Sequence, residues 1–526
     1  VSEELERLHE RAVETRVAVI GGGIGGLVAA LEFAKVGMGV TLYEAEGRLG
    51  GAVRSGEVDG LRLDLGAESF ATRGGHVRAL VDELGLGDLV VKPGTGAGGA
   101  WVAGLPGGAA APLPAGGILG IPANPFADDV RRVIGWGGAW RAYLDRVRPL
   151  LTIGRDRSLG HLVRTRLGER VRDRLVAPVT HGVYSAHPDD IDPDAAAPGL
   201  NGALTKTGSL LGAVDLLQRE RRAKAGAPGS AVQGLRGGMG TLVDALAARL
   251  VELGVQIRTG TPVTALERED ERWIVVAPED DAEPASDATD TRRLLNEAAE
   301  GREDEATTAT ESPAAAPAPS APEPAAFDLV IVATEEPAAR RLLAPHAAAL
   351  AVEPPRPGPV VHVATLVLDA PELDAAPRGT GVLTVPGSFR AKALTHATAK
   401  WGWVAEAAGP GRHVVRVSFG AQGDAPATDG LSADEAAELA REQASALLGV
   451  PLPADRVRGF ALERFSQSQP AATIGRRDDA RGARAAIEAV PGLGAAGAWL
   501  SGTGLAQVVP DAIGEAERLR RAALFG

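Results

Sequence analysis

Apolar residues along this chain follow two rhythms, and the stretch Val17–Glu44 contains both. Val17–Ile20 is a short apolar run, Leu27, Ala30, Leu31 and Ala34 then recur at helical spacing, and Val40–Tyr43 is a second, mainly apolar run ending at Glu44. Short unbroken runs suit strands buried on both faces, and recurrence every three or four residues suits a helix with one apolar face. The unit therefore reads strand–helix–strand. Further helical patterns cover Val77–Leu84, Asp128–Leu150, Ser158–Val176, Leu204–Lys224, Thr241–Leu253 and Ser432–Leu448, the last with Ser432 and Glu435 spaced as a capping box. Ala52–Leu65 reads as a hairpin, and short strands are expected at Ala100–Ala103, Ala111–Leu113, Val255–Arg258, Val263–Arg268, Trp273–Val276 and Phe327–Ala333. Beyond residue 350 the pattern is mainly strand: Val360–Leu368, Gly381–Val385, Arg390–Thr398, His413–Gly420 and Arg456–Arg464. His181–Pro188 reads as a loop, residues 1–15 as a helical or frayed extension, and Gln507–Asp511 as the lead into a last helix reaching about Ala523.

The pattern fails in one place. Residues 278–326 are Ala, Pro, Glu, Asp and Thr with almost no large apolar side chains, too few to offset the entropy of ordering them, so a disordered insertion is expected. It carries 13 acidic and 3 basic residues, which is most of the chain's net charge of −13. The remainder is near neutral, and no clustered positive surface points to nucleic acid. No apolar run is long enough to span a bilayer, and the polar start VSEELERLHERAVETR has neither the basic nor the apolar part of a secretory signal. A cytoplasmic protein is expected. Cysteine is absent, which excludes disulfides, thiolate nucleophiles and iron–sulfur clusters. No HExxH, CxxC or His/Asp spacing argues for a metal, and His76, His161, His181, His187, His362 and His396 show no ligand pattern. At 526 residues, more than one folded unit is expected.

The chemistry enters with the glycines of the opening unit. Gly21, Gly23 and Gly26 fit G-x-G-x-x-G between strand and helix, and Glu44 closes the second strand. Gly21 permits the tight turn, Gly23 leaves room for a pyrophosphate against the backbone, and Gly26 allows close helix–strand packing. The helix start offers free N–H groups to phosphate, and Glu44 lies where a ribose hydroxyl would be held. Dinucleotide binding follows; NAD and FAD are not separated by this unit alone.

Four further stretches resemble one family, the FAD-dependent protoporphyrinogen/coproporphyrinogen III oxidases of the flavin-containing amine oxidase superfamily, in their Gram-positive soluble type. Arg48-Leu49-Gly50-Gly51 with Gly66-Ala67-Glu68-Ser69 is similar to that family's RxGG…GPxS pair. Gly234–Gly240 (GLRGGMG), followed by Val263, resembles the stretch that returns to the adenine. Residues 158–191 resemble the substrate-domain helix and GVY loop, and Lys392–Trp401 (KALTHATAKW) is also similar. The resemblance implies FAD contacts at Gly21, Gly22, Gly23, Ile24, Gly25, Gly26, Glu44, Ala45, Arg48, Gly51, Ala52, Gly66, Ala67, Glu68, Ser69, Val263, Phe465, Gln507, Val508 and Val509. Val263 would act through its backbone. Phe465 stands where the family has Trp, and the C-terminal flavin loop Ala506–Ile513 is one residue shorter than the family's, with its glycines replaced. A helix after Pro510 would aim its positive end at the flavin. Arg73 is the candidate for a substrate propionate and Tyr184 for lining the substrate slot.

The fold implied is an α/β FAD-binding domain of the GR2/Rossmann-like, p-hydroxybenzoate-hydroxylase type. It is discontinuous, built from 16–91, 227–277, 327–349 and 490–526, with a helical substrate subdomain at 92–226 and a mainly β substrate domain of mixed sheet at 350–489. The activity implied is oxidation of coproporphyrinogen III, or of protoporphyrinogen IX, in haem biosynthesis. Hydride passes to flavin N5, and O2 is reduced to H2O2. Hand-over of product to the next haem-pathway enzyme and peripheral contact with a membrane are compatible with the reading. Two alternatives stand beside it: an amine oxidase or carotenoid-desaturase-like flavoenzyme, and an FAD-binding scaffold with impaired catalysis, for which the altered loop Gln507–Val509 is the argument.

Overall fold

In the computed structural model, residues 2–148, 158–224, 232–278, 326–351, 357–466 and 472–526 are described. In chain order, the strands of its two large sheets are β1 (Arg16–Ile20), β2 (Gly39–Tyr43), β3 (Ala100–Leu105), β4 (Ala109–Pro112), β5 (Gln256–Arg258), β6 (Leu329–Val332), β7 (Val360–Asp369), β8 (Gly381–Thr384), β9 (Ala393–His396), β10 (Arg412–Phe419), β11 (Val457–Ser466) and β12 (Leu493–Ala495).

The first sheet has the order β5-β2-β1-β6-β12, and every pair in it is parallel. Its central strands β1 and β6 read as apolar runs because both faces are covered, whereas edge strand β5 is Gln-Ile-Arg with exposed ends. Val17, Val19, Val40 and Leu42 pack with helix α1 (Ile24–Ala34) and with the C-terminal helix Leu505–Phe525, through Leu27, Leu31, Val509, Ala512 and Leu519. Ala18, Ile20, Val330 and Val332 pack on the other side with Trp273, Phe327 and Ile487. Leu27, Val28, Leu31 and Phe33 of α1 are fully buried, and each is worth about 1.5–3 kcal/mol of transfer free energy. The strand order reverses between β1 and β6, which is where a parallel sheet opens a crevice at the carboxyl ends of its strands.

The second sheet has seven strands in the order β11-β7-β10-β9-β8-β3-β4, antiparallel except for β8 beside β3. One face, with Leu366, Leu368, Leu394, Val415, Val417 and Phe419, is buried against Leu439, Ala440 and Leu447 of the helix Ala433–Leu448. The capping box at Ser432 and Glu435 starts that helix as expected. The opposite face, with Val367 and Val414, packs on the hairpin Ser55–Val58/Leu61–Asp64 and on Trp401. The second sheet thus rests on the segment that follows β2, and the crevice of the first sheet opens towards it.

Several local expectations need correction. The helix expected over Ser158–Val176 stops after Leu167 at Gly168, whose φ is 95°. It resumes, widens to a π-helical turn over Arg172–Val176, and runs on as α2 (Ala177–Tyr184). His181–Tyr184, expected in a loop, is therefore helical. Gly182 lies within this helix: a Cβ there would lie 2.5 Å from Leu383 Cδ2, so a side chain would require Leu383 on β8 to shift. Leu204–Lys224 is split at Gly208 (φ 75°) into Leu200–Thr207 and Leu210–Lys224. Arg390–Thr398 is strand only over β9, followed by a helical turn at Ala397–Lys400. The last helix, α3 (Leu505–Phe525), begins before Pro510 rather than after it. The 278–326 insertion, apart from its end residues, lies outside the described residues.

Candidate cofactor and substrate site

Three glycine-containing loops meet at the crevice. The first turns from β1 into α1. Gly21 has φ 108°, and a Cβ on it would lie 2.7 Å from the Ala333 carbonyl oxygen at the end of β6. A Cβ on Gly26 would stand 1.8 Å from the Gly21 oxygen, whereas one on Gly23 would meet nothing within 4 Å. Gly26 is therefore glycine for packing, and Gly23 borders open space. The second loop is Arg48–Ala52: Gly50 N–H donates to the Gly22 carbonyl at 2.8 Å, and a Cβ on Gly51 (φ 57°) would lie 3.3 Å from Gly23 Cα. The third crosses the second: Ala67 N–H donates to the Ala52 carbonyl at 2.9 Å, and a Cβ on Gly66 would lie 2.2 Å from that same oxygen. Sequence-distant glycines thus brace one another.

Glu44 stands beside them. One carboxylate oxygen accepts from Gly22 N–H at 2.6 Å, the other from Glu46 N–H at 2.8 Å, and each keeps a lone pair for a hydroxyl. Thr261 N–H and Gly260 N–H donate to the carbonyls of Glu44 and Glu46, which brings buried Val263 to the same edge as exposed Ala45. Arg48 lies between Glu46 and Glu463, 3.6 Å from each. Arg54 pairs with both acids, and its guanidinium sits 5.6 Å from the Phe465 ring centroid.

The start of α3 approaches the start of α1. A Cβ on Gly25 would lie 3.4 Å from Val508 Cγ1. Gln507, Val508 and Val509, expected as a loop over the cofactor, form the first turn of α3, and Val509 is buried in the core. Neither helix has a side-chain cap: Gly23 and Gly504 hold those positions. Two helix N-termini with uncapped N–H groups therefore converge on one space, which suits an anionic diphosphate. Buried acids hold α3 there. Asp511 accepts from Gly497 N–H at 3.4 Å and pairs with Arg484, which also lies 3.3 Å from Glu515. Burial raises the Asp511 carboxyl above its ordinary range, against the pull of Arg484.

Glu68 links this cradle to the second sheet. It pairs with Lys400 and, at 2.8 Å, with Arg416 of β10, whose guanidinium also donates to the carbonyls of Leu65 and Gly66. Burial alone would raise the Glu68 carboxyl, but the two cations hold it below its ordinary value. Asp64 nearby shows the opposite: burial pushes it up to about 6, although it accepts from Met239 N–H at 2.8 Å. Lys400 and Arg416 were not among the expected site residues. Lys400 lies within the quoted KALTHATAKW stretch, whereas nothing in the spacing of Arg416 points to Glu68.

Of the two residues expected at the substrate, Arg73 is exposed and follows the short strand Phe70–Ala71. Burial raises the Tyr184 hydroxyl pKa, and the charges of Arg73 and Arg221 oppose that shift; the ring packs half-buried against the helical core. Val183 beside it is 64% exposed, which marks the end of α2 as facing open space. His396 and His413 form a buried pair at 3.1 Å, continued at 2.9 Å to Asp374. No group of three or more metal-ligating side chains is poised for a metal among the described residues. Among them, too, no helix is long and apolar enough to cross a membrane.

The uncapped helix starts, the open space over Gly23 and the free lone pairs of Glu44 fit FAD. Comparison with known proteins agrees. Residues 24–288 match the family described as flavin containing amine oxidoreductase. Over 511 residues the chain is 30% identical to a coproporphyrinogen III oxidase of Mycobacterium tuberculosis, covering 95% of each chain. It is 31% identical to a coproporphyrinogen III oxidase of Propionibacterium freudenreichii subsp. freudenreichii over 286 residues, covering 49% of this chain and 54% of that one. Among solved structures, a candidate protoporphyrinogen oxidase from Exiguobacterium sp. 255-15 superimposes with a TM-score of 0.75 at 23% identity, covering 96% of this chain and 99% of that chain. Likeness at that identity speaks to fold.

Proposed function

The chain belongs to the family of flavin-containing amine oxidoreductases, with FAD as its cofactor, and from that premise we propose that it oxidises coproporphyrinogen III to coproporphyrin III. The observation that carries this reading is the convergence of the glycine braid and two uncapped helix starts, with Arg73 and Tyr184 as our candidates for the substrate. When bound, FAD supplies the redox chemistry, taking two electrons at a time from the substrate, three times in all, and passing each pair to dioxygen, so that three O2 leave as three H2O2. The chain's own part is binding and orientation. The first turns of α1 and α3 hold negative charge, and Glu44 accepts hydroxyl protons. Arg73 offers a charge-assisted pair to a propionate. Four propionates on coproporphyrinogen, against two on protoporphyrinogen, favour the former at a cationic rim. We place the protein in the cytoplasm and its product on the route to the next haem-pathway enzyme.

The test is direct. Purified protein, with its flavin spectrum recorded, is supplied with coproporphyrinogen III and protoporphyrinogen IX in air. Porphyrin fluorescence and peroxide release, faster with the first substrate, are expected. A yellow protein that leaves both unchanged and turns over amines would overturn the reading. Arg73→Ala is expected to raise the coproporphyrinogen KM about tenfold or more while flavin content stays constant; an unchanged KM removes Arg73 from the site.

A further inference from the structure

Lys392 is an unusual lysine. It is only 6% exposed, and it lies just before β9. Among the described residues no carboxylate pairs with it, and its ammonium donates to the hydroxyl of Ser185 alone. Burial pulls its pKa down to about 7. An unpaired buried cation is costly, so its retention needs a reason.

Ser185 supplies one. It ends α2 in the left-handed region, at φ 53° and ψ 32°, which costs a non-glycine residue free energy unless its surroundings hold it. Each of its polar groups is engaged. Its N–H donates to the His181 carbonyl at 3.1 Å, its carbonyl accepts from Gln422 N–H at 2.7 Å, and its hydroxyl accepts from Lys392. The turn so held carries Val183, which is exposed, and Tyr184, which packs half-buried against the helical core within the field of Arg73. Gly182, packed against Leu383, is the pivot behind them.

We propose that Lys392 is a positioning residue for the porphyrinogen: by pinning Ser185 in its left-handed turn it fixes the last turn of α2, and with it Val183 and Tyr184, along the substrate slot. The inference rests on the proposed porphyrinogen activity. It assigns Lys392 no contact with substrate or flavin; its effect passes through the backbone of Ser185.

The test separates the two readings. Wild-type turnover of coproporphyrinogen III in air comes first; its absence sinks both. Given turnover, Lys392→Met is expected to raise the coproporphyrinogen KM and the coproporphyrin III dissociation constant, read by fluorescence titration, about tenfold, with kcat within about twofold. Flavin content and absorption should not move. Ser185→Gly relieves the positive φ without the hydroxyl, so the double variant Lys392→Met/Ser185→Gly should recover most of the lost affinity, whereas Lys392→Met/Ser185→Ala should not. Unchanged KM and product affinity in Lys392→Met overturn the proposal. So does a loss that glycine at 185 fails to rescue, because the lysine would then act on the ligand directly or on the fold at large.

Discussion

Gly23 and Gly26 look alike in the sequence but do different work. A methyl at Gly26 would overlap the Gly21 carbonyl at 1.8 Å, while one at Gly23 meets no protein atom. Gly26→Ala should therefore lower stability with or without cofactor. Gly23→Ala should leave the melting temperature of the cofactor-free protein unchanged and weaken FAD binding roughly a hundredfold. Calorimetry and flavin titration on the same preparations check both; a destabilised cofactor-free Gly23→Ala would contradict the assignment. Asp64 makes a second residue-scale prediction. Its carboxyl titrates at about 6 in the folded protein, against roughly 4 when unfolded. Between those values the folded state binds more protons, so this group's contribution to stability grows as pH falls from 7 towards 4. Asp64→Asn, which keeps an acceptor for Met239 N–H, should stabilise at pH 7 by on the order of 2 kcal/mol and flatten that slope. Unfolding curves at pH 4.5 and 7.5 that keep the same slope in both proteins would refute it. Glu68, whose carboxyl is held low, contributes oppositely: its stabilisation is lost only as pH falls through its depressed value.

At the scale of elements, helix ends are set by contacts distant in sequence. Gly182 and Gly208 are both glycines within helical patterns. The first packs closely against Leu383 and the helix continues; the second takes φ 75° and the helix stops. Local pattern does not distinguish them, because the deciding neighbour lies some two hundred residues away in the first case. The start of α3 follows the same logic. Pro510 signals a helix start, yet Leu505–Val509 are held helical ahead of it by burial of Val508 and Val509 against α1 and the core. Between elements, Glu68 is the tie that joins the glycine cradle to β10 and the Ala397–Lys400 turn. Glu68→Ala would leave buried Arg416 and half-buried Lys400 without their counter-charge and should cost about 3–5 kcal/mol, read as a fall in urea midpoint. A loss under about 1 kcal/mol would mean the pair is solvated and holds nothing together.

At the scale of the whole molecule, the long acidic insertion interrupts a hairpin. Trp273 pairs with Phe327 and Ile274 with Ala326 in antiparallel register, so the chain leaves and returns at neighbouring points. Replacing residues 280–324 by a four-residue turn should therefore preserve melting temperature, flavin content and turnover; loss of activity with full flavin would assign the insertion a functional role. The hydrophobic pattern alone specified the strand–helix–strand unit, most strands of both sheets and the capped helix at Ser432, because these depend on nearest neighbours and on burial of a periodic face. The glycine motif, Glu44 and the absence of cysteine likewise set the class of chemistry. Only the tertiary structure decided that β5, β6 and β12 complete one parallel sheet with β1 and β2, that two helix starts converge over Gly23, that Lys400 and Arg416 close on Glu68, and that Lys392 reaches Ser185. Each of these is a contact between residues far apart in sequence. Their energy comes from excluded water and matched charge in three dimensions, and the order of residues along the chain carries no local trace of it.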